Sequence, residues 1–186
     1  MFRPTLIILG LAILIGGCKM PTEEPPAQLE EFISKEGKFK VKFPGKPEVK
    51  QQDVKEQAGG KVVQVKLLMY TKTYANESYM IAVAELPIAV DPTAIETRLL
   101  LEASRDGAIA RSKSTLESSK SVLLQGRYQG MELLAKGPTD GPPGSALRGR
   151  VYLVGKRQYQ TLVVGTAAAT QDARANEFLD SFQVTD

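Results

Sequence analysis

The sequence predicts an α+β domain: a largely antiparallel sheet of about seven to eight strands covered by two helices. Three observations predict it. Short runs of period-two alternation are separated by tight turn signals, the pattern of hairpin-linked strands. Two segments, 91–112 and 170–182, change to the helical period. The resulting order of four strands and then a helix occurs twice, as a ββββα repeat without residue-level identity between the halves.

The domain is expected to begin at residue 32. In Lys38–Phe43, Phe39, Val41 and Phe43 share one face, and Lys38, Lys40 and Lys42 share the other. That is a half-buried strand, ended by Pro44-Gly45 and Pro47. A weaker strand is expected over Val49–Val54. After Gly59-Gly60, Val63, Val65, Leu67 and Met69 fall on one face of the next strand. Ser78–Leu86 is apolar on both faces, as a covered central strand should be.

The period then changes. Asp91-Pro92 predicts a helix start, with an N-cap followed by proline at the first helical position. Ile95, Leu99 and Ala103 at i, i+4, i+8 predict its buried face, and Gly107 weakens its far end before Ser112. Strands are expected over Leu116–Leu124, Met131–Lys136, Leu147–Val154 and Arg157–Gly165. The loop 137–145 joins the middle pair, and Gly155-Lys156 suits a type II′ hairpin. Thr170 is the expected cap of a final helix whose core face is Ala175, Phe178, Leu179 and Phe182. That helix is expected to dock on the hairpin just before it.

The N-terminus carries an address. Arg3, an apolar run from Leu6 to Ile15 and two small residues precede Cys18, the only cysteine in the chain. This is the layout of an export signal. From Leu6 to Gly17 the run would span only about 18 Å as a helix, short of the ~30 Å of a bilayer's hydrocarbon core. Residues 1–17 are therefore expected to be a signal peptide. Residues 18–31, rich in proline and glutamate, are expected to be a tether, with up to about 40 Å of reach. Residues 32–186 are expected to form the globular domain. Once Arg3 is removed, 23 basic residues stand against 21 acidic ones, a net +2. That near-neutral balance argues against a nucleic-acid partner.

Chemistry is sparse. The chain has no histidine, which removes Ser-His-Asp and Cys-His sites and the usual zinc sites. No Gly-Lys pair is followed by Ser or Thr, so there is no phosphate loop, and no dinucleotide fingerprint occurs. No cofactor, metal site or catalytic residue is predicted, and the chain is not expected to be an enzyme. Glu77, Glu85, Glu117 and Glu132 are the carboxylates that a hydrolase would have to use. Lys38, Lys40 and Lys42, or Arg148 and Arg150 two apart on one strand face, are candidate contacts for an anionic ligand or partner. For the lysines the competing expectation is protection of an edge strand. For the arginines it is pairing with the domain's own acids. Loop 137–145 is a candidate contact surface.

Three resemblances complete the picture. Ile15-Gly16-Gly17-Cys18 resembles the bacterial lipobox, an aliphatic residue and two small ones before the cysteine. The resemblance implies a diacylglyceryl group on the Cys18 thiol and cleavage just before it. "GKFKVKFPGKP", "VYLVGKRQYQTLVVG" and "FLDSFQV" resemble segments of small bacterial exported proteins and lipoproteins whose shared motifs are structural. The element order is similar to the PsbP-like α/β/α fold. Together these imply a lipoprotein anchored by Cys18 to a membrane of the cell envelope, on its periplasmic or extracytoplasmic side. It is expected to act as a non-enzymatic binding or assembly module, with an envelope protein or an anionic glycan as partner. The alternatives are a small-ligand carrier, with its cargo between sheet and helix, and a carboxylate-dependent hydrolase.

Overall fold

The computed structural model describes residues 28–58, 61–74, 76–86 and 93–185. The signal segment, Cys18 and Asp91-Pro92 lie outside them. The elements are β1 (Glu30–Ser34), β2 (Phe39–Phe43), β3 (Glu48–Ala58), β4 (Lys61–Tyr74), β5 (Glu77–Glu85), α1 (Ala94–Ser112), β6 (Thr115–Leu124), β7 (Tyr128–Lys136), β8 (Ser145–Val154), β9 (Arg157–Thr166), a 3-10 turn (Ala169–Gln171), α2 (Ala173–Ser181) and β10 (Gln183–Val184).

The predicted class is what the chain adopts. A seven-stranded sheet has the order β3-β4-β5-β9-β8-β7-β6, and every neighbouring pair is antiparallel. Beside it lies a three-stranded antiparallel sheet, β1-β2-β10. This second sheet is not evident from the sequence pattern. Its β1 takes Glu30 and Glu31, residues that read as tether, because each pairs in register with β2. Leu29 also packs against the core, so ordered packing starts before residue 32. β2 is the middle strand of its sheet, so its lysines do not guard an edge.

The large sheet has two differently covered faces. On one face, Leu68, Tyr70, Tyr79, Ile81, Val83, Tyr152, Tyr159 and Val163 meet α2 and the small sheet. On the other, Met131, Leu133, Leu147, Val151, Leu153 and Leu162 meet α1. The opposite parity of Tyr152 from Val151 and Leu153 puts the two sets on opposite sides. Val65, Leu67 and Met69 belong by register to the α1 side, while Leu68 and Tyr70 supply the main core. β5 is buried on both sides through Val83, as its unbroken apolar run predicts.

The turns follow the expected chemistry. Gly155 has φ 57 and Lys156 is not left-handed, which fits a type II′ connection. Gly130 lets the Tyr152 ring lie against its backbone, because a Cβ there would come within 2.2 Å of the ring.

Two helix expectations need correction. α1 is capped by Thr93, in a reciprocal capping box with Glu96. Its buried residues are Thr97 and Leu101, whereas Ile95 and Leu99 are 67% and 54% exposed. The helix is rotated from the expected face because Leu100, Leu101 and Ile109 are the side chains that reach the sheet. α2 is capped by Asp172, whose carboxylate accepts from Ala175 N at 2.7 Å. Thr170 is fully buried in the preceding 3-10 turn. The core face of α2 is as predicted.

The repeated ββββα order is present in the element sequence. The strand order is also symmetric about the β5/β9 boundary, with β4 matching β8 and β3 matching β7. A two-fold axis relating antiparallel neighbours stands perpendicular to the sheet, and it would put both helices on one face. They lie on opposite faces, so the helices break that symmetry.

Candidate functional site

The densest charge constellation lies where α2 crosses β7 and β8. Arg148, Arg150 and Tyr152 alternate on β8 and so share the α2 face. Glu132 on β7 stands directly across from Arg150. The residue is only 8% exposed, and its carboxylate is surrounded by cations. Arg150 Nε donates to Oε2 at 2.7 Å, Arg148 Nη2 donates to Oε1 at 3.4 Å, and Lys120 Nζ from β6 lies 3.2 Å from Oε1. The arginines then reach the helix. Arg150 donates to the Leu179 carbonyl at 3.0 Å and pairs with Asp180 at 2.7 Å. Arg148 donates to Asn176 Oδ1 at 2.7 Å. Charges this buried are tolerated because each has a partner. Burial pushes the Glu132 carboxyl up, but hydrogen bonds from Arg150 and Lys120 and the charges of Arg148 and Arg150 outweigh it. The group is held below its usual range.

A second lattice pins the start of α2. Glu77, 8% exposed, accepts from the Tyr79 hydroxyl and from Arg174 Nη2, the latter at 3.1 Å. Arg174 also lies 3.7 Å from Asp172, the helix cap, and its guanidinium sits 5.1 Å from the centroid of the Tyr74 ring. Burial and the hydrogen bond to Glu77 push the Tyr79 hydroxyl well above the usual phenol value, so it stays a donor. A nine-residue helix is marginal alone. These two lattices tie both its ends to the sheet.

The structure brings together some of the predicted contact residues and separates others. Arg148 and Arg150 meet one acid, Glu132. Lys40 lies 3.9 Å from Glu31 and Lys42 2.7 Å from Glu177, beside a shallow cleft of about 430 Å³ also bordered by Asp180, Ser181 and Gln183. Lys38 precedes β2 in a left-handed turn, φ 51, and forms no ion pair among the described residues. The other carboxylates do not converge with Glu132 in any described contact. Glu85 is exposed at the end of β5, and Glu117 pairs with Lys136 at 3.0 Å. Loop 137–145 is closed by Gly137 N donating to Ser145 O at 2.7 Å and tied to the segment after β9 by Ala167 N donating to Gly144 O at 3.0 Å.

Lys120, Asn176 and Asp180, and the Tyr79 and Arg174 that partner Glu77, are the members that residue-level reading missed. Asp180 and Asn176 carry one signal, helical spacing of polar residues opposite Phe178 and Leu179. A cleft of about 420 Å³ opens between β6 and α2, lined by Ser118, Lys120, Glu132, Arg148, Gln171 and Asn176. Among the described residues no group of three or more His, Cys, Asp or Glu side chains could hold a metal ion. Chemically, Glu132 is a poor general acid at neutral pH, because its surroundings favour the charged form.

No family model matches the chain, and no curated protein matches it. Among solved structures the chain is similar to cyanobacterial PsbP (CyanoP) from Synechocystis sp. PCC 6803, determined in solution. The identity is 12% and the TM-score 0.56, over 91% of this chain and 98% of that one. The fold is PsbP-like. At this identity the likeness concerns architecture, and the expectation drawn from element order holds at that level. In this PsbP-like frame the charged lattices occupy the face where α2 and the small sheet meet the large sheet.

Proposed function

We propose that the protein is an extracytoplasmic module, held at a membrane by lipid on Cys18, that binds or assembles with another envelope component and catalyses no reaction. The observation that carries this reading is the filled interior. A carrier would hold its cargo between the sheet and α2. There, nine of the chain's twelve aromatic rings form one connected layer, centred on Phe39, Phe178 and Phe182. Phe178 is fully buried and Phe182 is 2% exposed. Such packing leaves the outer surface as the place of interaction.

The lipobox-like Ile15-Gly16-Gly17-Cys18 supports the anchor. Two acyl chains give stable attachment, at ~0.8 kcal/mol per buried CH₂. An envelope protein is favoured over an anionic glycan. Lys40, Lys42, Arg148 and Arg150 already have acidic partners in the domain, which leaves Lys38 alone of the five candidate cations without one among the described residues.

Membrane fractionation with mass spectrometry tests the anchor. The wild-type chain is expected to sediment with membranes and to carry acyl mass on residue 18, and Cys18→Ala to become soluble or stay unprocessed. An unmodified thiol on the membrane-bound chain refutes it. Photocrosslinking in cells from positions on each face tests the binding role. Discrete adducts from one face are expected, and their absence from every face would count against a binding module.

A further inference from the structure

The two edges of the seven-stranded sheet differ in chemistry. β3 runs Glu48-Val49-Lys50-Gln51-Gln52-Asp53 at its start, an edge guarded by charges. β6 pairs with β7 on one side and with no described strand on the other. Its residues from Thr115 to Ser121 are exposed, it has no proline, and its centre is Ser118-Ser119-Lys120-Ser121. A register irregularity at Glu117 leaves Ser118–Leu124 regularly paired to β7. The one lysine does not project along the edge, because its Nζ turns to Glu132. A row of backbone donors and acceptors is thereby open to pairing.

The cleft of about 420 Å³ borders this edge on the α2 side. Its charge does not balance. Of the residues that line it, Lys120 and Arg148 are cations and Glu132 is the one anion, an excess of one positive charge. Lys120 is the accessible member, with its side chain 69% exposed. On the opposite face of the same strand, Leu123 is 61% exposed.

We propose that β6 is a strand-addition site: an extended segment of a partner protein pairs with Ser118–Leu124 and sets an acidic side chain beside Lys120 at the mouth of the cleft between β6 and α2. The proposal rests on the reading of the protein as a binding module and names its surface. Main-chain bonds supply attachment whatever the partner's sequence, and the cleft reads every second side chain. An acid opposite Lys120 forms a cross-strand ion pair. The intervening side chains fall on the other face, where Leu123 favours apolar ones.

The test uses the mature chain, residues 18–186 with Cys18→Ser, and a capped nine-residue peptide of alternating valine and threonine with a central glutamate. Its lysine counterpart is the control. Slowed amide hydrogen exchange at alternate residues of 118–124 is expected, with the glutamate peptide binding roughly fivefold more tightly than the lysine peptide. Lys120→Glu should reverse that preference. N-methylation of one alternate set of peptide amides should abolish protection, and methylation of the other set should not. No binding at millimolar peptide, protection at β3 or β1 instead of β6, or equal affinity for the two peptides would overturn the proposal. Protection of β6 that grows with protein concentration and without peptide would assign the edge to a second copy, and would overturn it too. None of these outcomes bears on acylation of Cys18, so the anchor stands or falls separately.

Discussion

The two faces of the large sheet are covered by opposite means. On the α2 side a nine-residue helix with little stability of its own sits on a layer of rings, and buried ion lattices hold it at both ends. On the α1 side a nineteen-residue helix carries its own stabilising devices. These are a capping box at Thr93 and a left-handed C-cap at Lys113, whose N–H bonds back into the last turn. It buries only Thr97 and Leu101 and shows Ile95 and Leu99 to solvent. The short helix exists because of tertiary contacts, and the long one leans on local ones. Stability should therefore be concentrated on the α2 face.

The sharpest way to break that comparison is Phe178→Ala. The ring is fully buried, about 5.2 Å from the ring centroids of both Phe43 and Tyr79, so it joins helix, small sheet and large sheet. Its loss should cost about 3–5 kcal/mol, a large part of a domain's ~5–15 kcal/mol. Urea unfolding measures it. A cost below about 1 kcal/mol would make α2 a loosely attached tail.

Glu132→Gln should cost somewhat less, about 3 kcal/mol, because it leaves Arg148 and Arg150 buried beside a neutral group. This variant also has a pH signature. The carboxyl is held below its ordinary value of 4.5 by Arg150, Lys120 and Arg148 acting against burial. A depressed carboxyl contributes stability that is present above the unfolded pKa and is lost as pH falls through the folded one. Wild-type stability should fall between about pH 5 and the lowered folded value, and Glu132→Gln should flatten that limb. Parallel acid limbs in the two proteins would remove Glu132 from the account.

Leu101→Ala probes the other face. It removes a buried side chain, but the contact layer there is thinner, so about 2 kcal/mol is expected, the low end for a buried leucine. A loss equal to that of Phe178→Ala would mean the two faces contribute alike.

What could be read in advance follows the same division. Where burial and polarity alternate cleanly the sequence is explicit: Phe39, Val41 and Phe43 against the lysines, and Ala175, Phe178, Leu179 and Phe182 against polar neighbours. α1 has leucines and alanines around much of its circumference. Ile95, Leu99 and Ala103 make as good a stripe as the one used, and the Thr at position 97 hides the true one. β1 and β10 were invisible because short strands held only by pairing with β2 leave no periodic trace. For the charged site, the shared face of Arg148 and Arg150 follows from period two. Their partner does not, because the loop 137–145 between β7 and β8 is too long to fix the register that sets Glu132 against Arg150. Asp180 and Asn176 join only when α2 docks.

The smallest expected effect completes the comparison. Ile95 and Leu99 lie one turn apart on α1 and look like a core face in sequence, yet both are exposed. Residues in solvent bury little that a substitution can lose, so Ile95→Gln with Leu99→Gln should change stability by less than about 0.5 kcal/mol. Glutamine has good helix propensity, which keeps the local stability of α1 intact and isolates the burial term. If the double variant instead loses several kcal/mol, the helix must sit rotated by about half a turn, with the predicted stripe inward. The contrast between a locally stabilised α1 and a tertiary-stabilised α2 would then disappear, because both helices would depend on an apolar stripe against the sheet.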